Sequence, residues 1–248
     1  MASPRSPLPT EVAPDVFFVR GPAANWIILR DGFDFTLIDA GYPADTPAVL
    51  SSIRSLGLDP AHAEAVVLTH GHVDHTGAAR HLSAEHGTPV LASADERPAV
   101  RGEVQYQVTV PQLLPHLWQP RALRWIAHAV KAGGLTPNAI TTDAEASVSR
   151  LVDLPGAPAP IPTPGHTPGH TAYRLAGGAV ATGDAVITAH PLNHGTRVQQ
   201  IHPVFDHDHA EATRSLGELT ALGNVTVLPG HGPFLVAHPL VVATSTAP

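Results

Sequence analysis

The chain has 248 residues, 43% hydrophobic and 14% charged, which suits one core-bearing domain over 1–248 and excludes a disordered polymer. A net charge of −7 with a single lysine, Lys131, excludes a general nucleic-acid surface, and the lack of cysteine excludes disulfides, thiolate metal sites and thiol nucleophiles. The opening MASPRSPLPT holds no apolar run, and no stretch reaches the about 18 apolar residues of a spanning helix, so the expectation is a soluble cytoplasmic protein, monomer or homodimer, without membrane or nucleic-acid partners.

In chain order, VFFVRG, NWIILRDG and FTLIDAG read as a strand meander broken by Gly, Asp and Pro. ADTPAVLSSIRSLG has apolar spacing of three and four and stops at Gly57, the mark of an amphipathic helix. AEAVVLTH predicts a buried strand ending at His70, TGAARHLSAEHG a helix ending at Gly87, and PVLAS a further strand. Residues 95–138 interrupt this rhythm as a helical insertion, whose Tyr106, Trp118 and Trp125 serve either as core packing or as a lid over a site. Strands are expected near 147–153 and 157–163, then at AYRLA and AVATGDA on either side of a Gly177-Gly178 hairpin. DHAEATRSLGELTALG predicts a helix with Asp208 and Glu211 at capping-box spacing, and NVTVLPGHG a last strand and loop. Strands alternating with helices after a meander indicate a layered α/β or α+β fold.

The chemistry concentrates at 70–75, where His70, Gly71, His72, Val73, Asp74 and His75 follow the end of a buried strand. Three imidazoles and a carboxylate within six residues are electrostatically wasteful unless a cation compensates them, and the donor set suits a borderline divalent ion such as zinc. Three more strand-end loops carry ligand-competent groups: TPGHTPGHT with His166 and His170, ATGDAV with Asp184, and LPGHG with His231. Each of these is commonplace as a turn; their sequence behind the HxHxDH segment is not.

In this combination the chain resembles the metallo-β-lactamase superfamily from about Val12 to Pro233. The resemblance implies a four-layer αββα sandwich with a dinuclear metal site on one edge. It further implies that His70, His72 and His166 hold one metal, that Asp74, His75 and His231 hold the second, and that Asp184 bridges them. Asp39 in LIDAG matches the acidic residue that orients a ligand imidazole from behind, and His170 matches a buried supporting position outside the metal shell. The spacing of the repeated phrase does not itself separate His166 from His170, since both follow a Pro-Gly turn. Of the other histidines, His190, His194, His202, His207 and His209 cluster where such proteins place substrate-facing loops.

Two cations flanking a water lower its pKa and direct it at an electrophilic carbonyl or phosphorus, with Asp74 as the group that holds it and later moves a proton to the leaving group. The expected cofactor is two zinc ions per chain, with iron or manganese as alternatives. The missing cysteine excludes the β-lactamase groups with a thiolate ligand, and the absence of a long helical region after His231 argues against a glutathione thioester. The resulting expectation is a hydrolase, similar to lactonases and glyoxalase II relatives, of a lactone or thioester in a small neutral or moderately apolar substrate. A mononuclear-iron persulfide dioxygenase and a β-lactam or phosphodiester hydrolase remain as alternatives.

Overall fold

The computed structural model describes residues 7–244, so most of the opening MASPRSPLPT segment lies outside the described residues. Its twelve strands form two sheets, one ordered β1-β2-β3-β4-β5-β6-β7 and the other β12-β11-β10-β9-β8. The first contains β1 (Thr10–Ala13), β2 (Val16–Val19), β3 (Trp26–Asp31), β4 (Asp34–Ile38), β5 (Ala63–Val67), β6 (Val90–Ala92) and β7 (Asp143–Glu145); the second contains β8 (Ala159–Pro162), β9 (Thr171–Arg174), β10 (Ala179–Gly183), β11 (Val225–Pro229) and β12 (Leu235–Ala237). The first four strands pair antiparallel, and β4 to β7 are parallel, as are β10 and β11.

The layering follows from period-two alternation on fully apolar strands. Phe17, Val19, Trp26 and Ile28 pack outwards with Val49 and Ile53 of α1 (Thr46–Ser55) and Ala78 and Leu82 of α2 (Val73–His86). Their neighbours Val16, Phe18, Ile27 and Leu29 turn inwards to Tyr173, Ala181 and Leu228 of the other sheet. That second sheet covers its outer face with Leu216 and Leu219 of α7 (His209–Thr220), against Val180, Val225 and Val227. The order of layers is therefore helix, sheet, sheet, helix, the αββα sandwich. Asp208 caps α7 by accepting the Glu211 N–H at 2.9 Å.

Several boundaries differ from the sequence reading. The segment 147–153 is a helical turn, α6 (Val148–Leu151), rather than a strand. Its apolar residues Val148, Leu151 and Val152 stand at i, i+3 and i+4, a helical spacing in a run too short to show its period; Leu151 enters the inter-sheet core, while Val148 and Val152 are 68% and 61% exposed. The edge strand β7 was not expected from a sequence as polar as DAE; it is fixed instead by the buried Asp143 carboxylate, which accepts from Arg97 Nε and Arg101 Nε at 2.6 Å each. The short edge strands β1 and β12 were also unmarked. Helix α2 begins at Val73, three residues before the expected Thr76, so Asp74 and His75 stand in its first turn. In the insertion, α3 (Arg97–Val100) and α4 (Val110–Leu113) are single turns, and only α5 (Pro120–Lys131) is a longer helix. No helix among the described residues is long and apolar enough to cross a membrane.

Candidate metal centre

Parallel strands place their C-terminal ends on one edge, where loops are free to present side chains. The loops after β4, β5, β10 and β11, with the β8–β9 connection, converge there and carry Asp39, the 70–75 segment, Asp184, His231 and His166. Close approach of these loops depends on two glycines. A Cβ on Gly230 would lie 2.2 Å from Asp184 Oδ1, and one on Gly183, whose φ is +49°, would lie 2.6 Å from His170 Nε2.

Three imidazole nitrogens meet at the first cluster: His72 Nδ1 lies 3.1 Å from His70 Nε2 and 3.1 Å from His166 Nε2. The tautomers follow from what stands behind the rings. Thr69 Oγ1 gives its only hydrogen to Asp39 Oδ2 at 2.7 Å, so it accepts from His70 Nδ1–H at 3.0 Å and leaves Nε2 a bare lone pair. His166 Nδ1 donates to Asp206 Oδ1 at 3.2 Å, which likewise turns its Nε2 lone pair into the cluster. A cation holding nitrogens at about 2.0–2.1 Å in a tetrahedral array separates them by about 3.3 Å, so these spacings fit one.

The second cluster is more acidic. His75 Nδ1 donates to Asp39 Oδ2 at 2.8 Å and His231 Nδ1 to the Ala23 carbonyl at 2.8 Å, so both expose Nε2 to the site. His231 Nε2 is 3.5 Å from Asp74 Oδ2 and 3.1 Å from Asp184 Oδ2, and the same Asp184 oxygen is 3.6 Å from His166 Nε2. Asp184 thus lies between the two groups of ligand-competent atoms. Two buried atoms without a hydrogen-bond partner lie side by side here, His75 Nε2 and Asp184 Oδ1, 3.5 Å apart. Buried polar groups are normally satisfied, so an imidazole nitrogen and a carboxylate oxygen left unbonded beside each other mark a place for a cation. The donor atoms group as His70/His72/His166, His70/His75/Asp184 and Asp74/His75/His231, each set lying within 4.8 Å.

Protonation follows the same division. Burial, reinforced by neighbouring imidazoles, holds His70 well below the ordinary value and brings His72 down to about 3. At His75 burial also acts downwards, but the charges of Asp39, Asp184 and Asp74 outweigh it and push the pKa up to about 10. Burial would raise Asp184; the His231 and His75 charges overcome that and keep it well below the usual carboxylate range.

His170 stands outside the cluster. Its Nε2 accepts the Asp184 backbone N–H at 3.1 Å and its Nδ1 pairs with Thr163 Oγ1 at 2.8 Å, so both nitrogens are engaged. Asp39 holds its carboxylate in place with a left-handed backbone, φ +56°, which Asp tolerates better than most residues, and takes a third bond from the Thr69 N–H at 2.8 Å. Sequence reasoning missed four supports. Thr69 and Asp206 set two tautomers, and Asn25 ties the His231 loop by donating to the carbonyls of Pro229 and Gly232 at 2.8 Å each. Glu96, fully buried, accepts from Gly71 N at 2.7 Å, Thr167 Oγ1 at 2.7 Å and Gly169 N at 3.1 Å, so it joins the two histidine loops. Their only local signals were Thr69 directly before His70 and Asp206 inside the run DHDH.

Over the cluster lies a small void lined by Tyr42, Asp74, Trp125, His190, Phe205 and His231 among others. The insertion's tryptophans part here: Trp125 lines this void and stacks edge-on against His190 and Phe205, whereas Trp118 is 79% exposed. Burial, with the Asp74 and Asp184 charges, raises the Tyr42 pKa and keeps the phenol protonated.

The family model of the metallo-beta-lactamase superfamily matches residues 19–231. Among curated proteins, the probable metallo-hydrolase YflN of Bacillus subtilis (strain 168) is 28% identical over 224 residues, 88% of this chain and 80% of that protein. A second probable metallo-hydrolase of that organism, YybB, is 29% identical over 122 residues, 48% of this chain and 53% of the other. Among solved structures, TTHA1623 in a di-iron-bound form is 25% identical with a TM-score of 0.59, covering 87% of this chain and 91% of that one. A metallo-β-lactamase of Cronobacter sakazakii with a HARLDQ motif, at 24% identity and TM-score 0.62 over 90% of this chain and 78% of that one, shares the fold. With matching motifs, layers and strand-end site, the chain belongs to the metallo-beta-lactamase superfamily.

Proposed function

We propose that the chain is a dinuclear metal-dependent hydrolase that cleaves an ester-type bond, a lactone or thioester, in a small molecule. The observation that carries this reading is the Asp184 carboxylate set between two converging groups of buried lone pairs, with His75 Nε2 and Asp184 Oδ1 left without partners. His70 Nε2, His72 Nδ1 and His166 Nε2 would hold one cation, Asp74, His75 and His231 the second, and Asp184 both. Zinc suits this nitrogen and oxygen donor set, and the di-iron form of TTHA1623 supports iron as the alternative. When bound, such cations lower the pKa of water and polarise the oxygen of the scissile bond.

The chain's own groups supply the rest. Asp39 and Thr69 fix imidazole tautomers, so the lone pairs are set before substrate arrives. Asp74, 7% exposed and lining the void, is the carboxylate placed to accept a proton from the attacking water and return it to the leaving oxygen or sulfur. Tyr42 remains a protonated donor beside it, and Trp125 and Phe205 keep bulk solvent out.

The test is metal analysis combined with a panel of lactones, thioesters, β-lactams and phosphodiesters under oxygen monitoring. About two metals per chain with lactone or thioester turnover and no oxygen uptake is expected. One iron per chain with oxygen consumption would overturn the hydrolytic reading in favour of the dioxygenase.

A further inference from the structure

Beside the metal centre lies a second, larger cavity of about 500 Å³. One wall is the turn after β2, starting at Arg20, together with Gly232, the residue after His231; the other is helix α5 of the insertion. Residues 121, 124, 125 and 128 recur at i, i+3, i+4 and i+7, so Arg121, Arg124, Trp125 and His128 form one stripe facing the cavity. Trp125 and His190 line both this cavity and the void over the metal cluster, and the His190 ring lies 5.2 Å from that of His231. The cavity is therefore the neighbouring chamber of the candidate centre.

Its chemistry is one-sided. Three of the chain's 14 cationic side chains, Arg20, Arg121 and Arg124, line it, and no carboxylate does. Among the described residues none of the three is in an ion pair; the paired arginines are Arg30, Arg97 and Arg101, all away from this cavity. Arg121 reaches only Gln119 Oε1 at 3.1 Å and His194 Nδ1 at 3.5 Å. Buried polar atoms without a partner lie on the same stripe: Trp125 Nε1, which can only donate, and His128 Nε2. Three guanidinium groups on one cavity repel one another, and in a protein of net charge −7 they form a local field that draws anions to that place.

We propose that the Arg20/Arg121/Arg124 cavity binds an oxyanion of the substrate, a carboxylate or phosphate, while the scissile ester-type bond sits over the metal cluster. The guanidinium fork matches either oxyanion in bidentate fashion, and the Trp125 N–H adds a donor at the boundary between the two chambers. The substrate expected from sequence to be neutral or moderately apolar is on this ground acidic at one end. The proposal rests on the hydrolase reading for the identity of the scissile bond, but its binding chemistry does not need turnover.

The test is calorimetric titration of the metal-loaded protein with pentanoate, which has one anionic end, and with glutarate, pimelate and 4-phosphonobutyrate, which have two. At least one two-ended probe is expected to bind roughly tenfold more tightly than pentanoate, the gain shrinking at high salt. The Arg121→Gln, Arg124→Gln double variant, at two exposed helix positions, is expected to bring the ratio to within about threefold of one with metal content unchanged. A gain from dicarboxylates alone assigns the cavity to a carboxylate, and a gain from the phosphonate alone to a phosphate. Equal binding of all four probes, or a gain that survives in the double variant, overturns the proposal. Lactone or thioester turnover in the absence of that gain sinks the anion cavity alone, and the gain without such turnover sinks the ester reading alone.

Discussion

Glu96 offers the most direct test of how the metal centre is held. Its carboxylate has no cationic partner among the described residues; Oε1 accepts from Gly71 and Oε2 from Thr167 and Gly169. Gly71 separates His70 from His72, and Thr167 follows His166, so one side chain clamps both loops of the first cluster. Glu96→Ala leaves the Thr167 hydroxyl and the Gly169 N–H buried without acceptors, at about 1–3 kcal/mol each, while Gly71, being partly exposed, recovers water. Relief of the carboxylate's own desolvation, the cause of its raised pKa, offsets part of this and leaves a net loss of about 3 kcal/mol. For a chain of this size that lowers Tm by about 6–12 °C. Scanning calorimetry of the metal-free protein measures it without metal linkage, and Glu96→Gln, which keeps one acceptor oxygen, should recover part of the loss. A metal-free Tm within about 2 °C of wild type would refute the clamp, because buried donors would then have found other partners. Metal analysis of the same variant is expected to show a selective loss at the His70/His72/His166 cluster.

Asp184→Ala is expected to lose one metal equivalent and most turnover; retained occupancy of two metals with full activity would remove Asp184 from between them. His166→Ala should abolish binding at the first cluster, whereas His170→Ala should retain the metal and lose stability; metal loss from the second variant alone would exchange their roles. Asp39→Ala is expected to weaken metal affinity about 10–100-fold, measured by competition with a chelator, and an unchanged affinity would mean that His70 and His75 orient themselves. Trp125→Ala should change KM or substrate range, while Trp118→Ala leaves both unaltered; the same effect from both would point to the insertion as a whole rather than to the wall of the void.

The parts of this protein visible in the sequence were those written locally. The 70–75 segment declares itself because four donor groups lie within six residues, and the runs 16–19 of β2 and 26–29 of β3 are buried on both faces and carry no polar interruptions. Less was visible where stability comes from pairs distant in the chain. Glu96 meets Gly169 across 73 positions and Asn25 meets Pro229 across 204, and neither end has a pattern of its own. Strand β7 depends on Asp143 meeting two arginines of α3 and the residue following it, so no β propensity marks it. The turn at 148–151 is hard to read for another reason, since Val148, Leu151 and Val152 have helical spacing in a run too short to show a period and bury one side chain. The cationic cavity was hidden too, because Arg20 and the α5 stripe are a hundred residues apart and helical spacing gains meaning only once the facing wall is known.

A single oxygen of Asp39, Oδ2, accepts both from the Thr69 hydroxyl, which in turn holds His70, and from His75. The two proposed cation positions therefore do not have independent scaffolds. An ion that tightens His70 also pulls on the anchor of His75, and the reverse holds with equal strength, as thermodynamic reciprocity requires. For the proposed pair of cations loading is then coupled: the affinity for the second ion depends on whether the first is present, and stepwise titration should give two mutually dependent constants rather than two independent ones. In the proposed two-cation centre, the affinity of each cluster is thus set in part by the occupancy of the other.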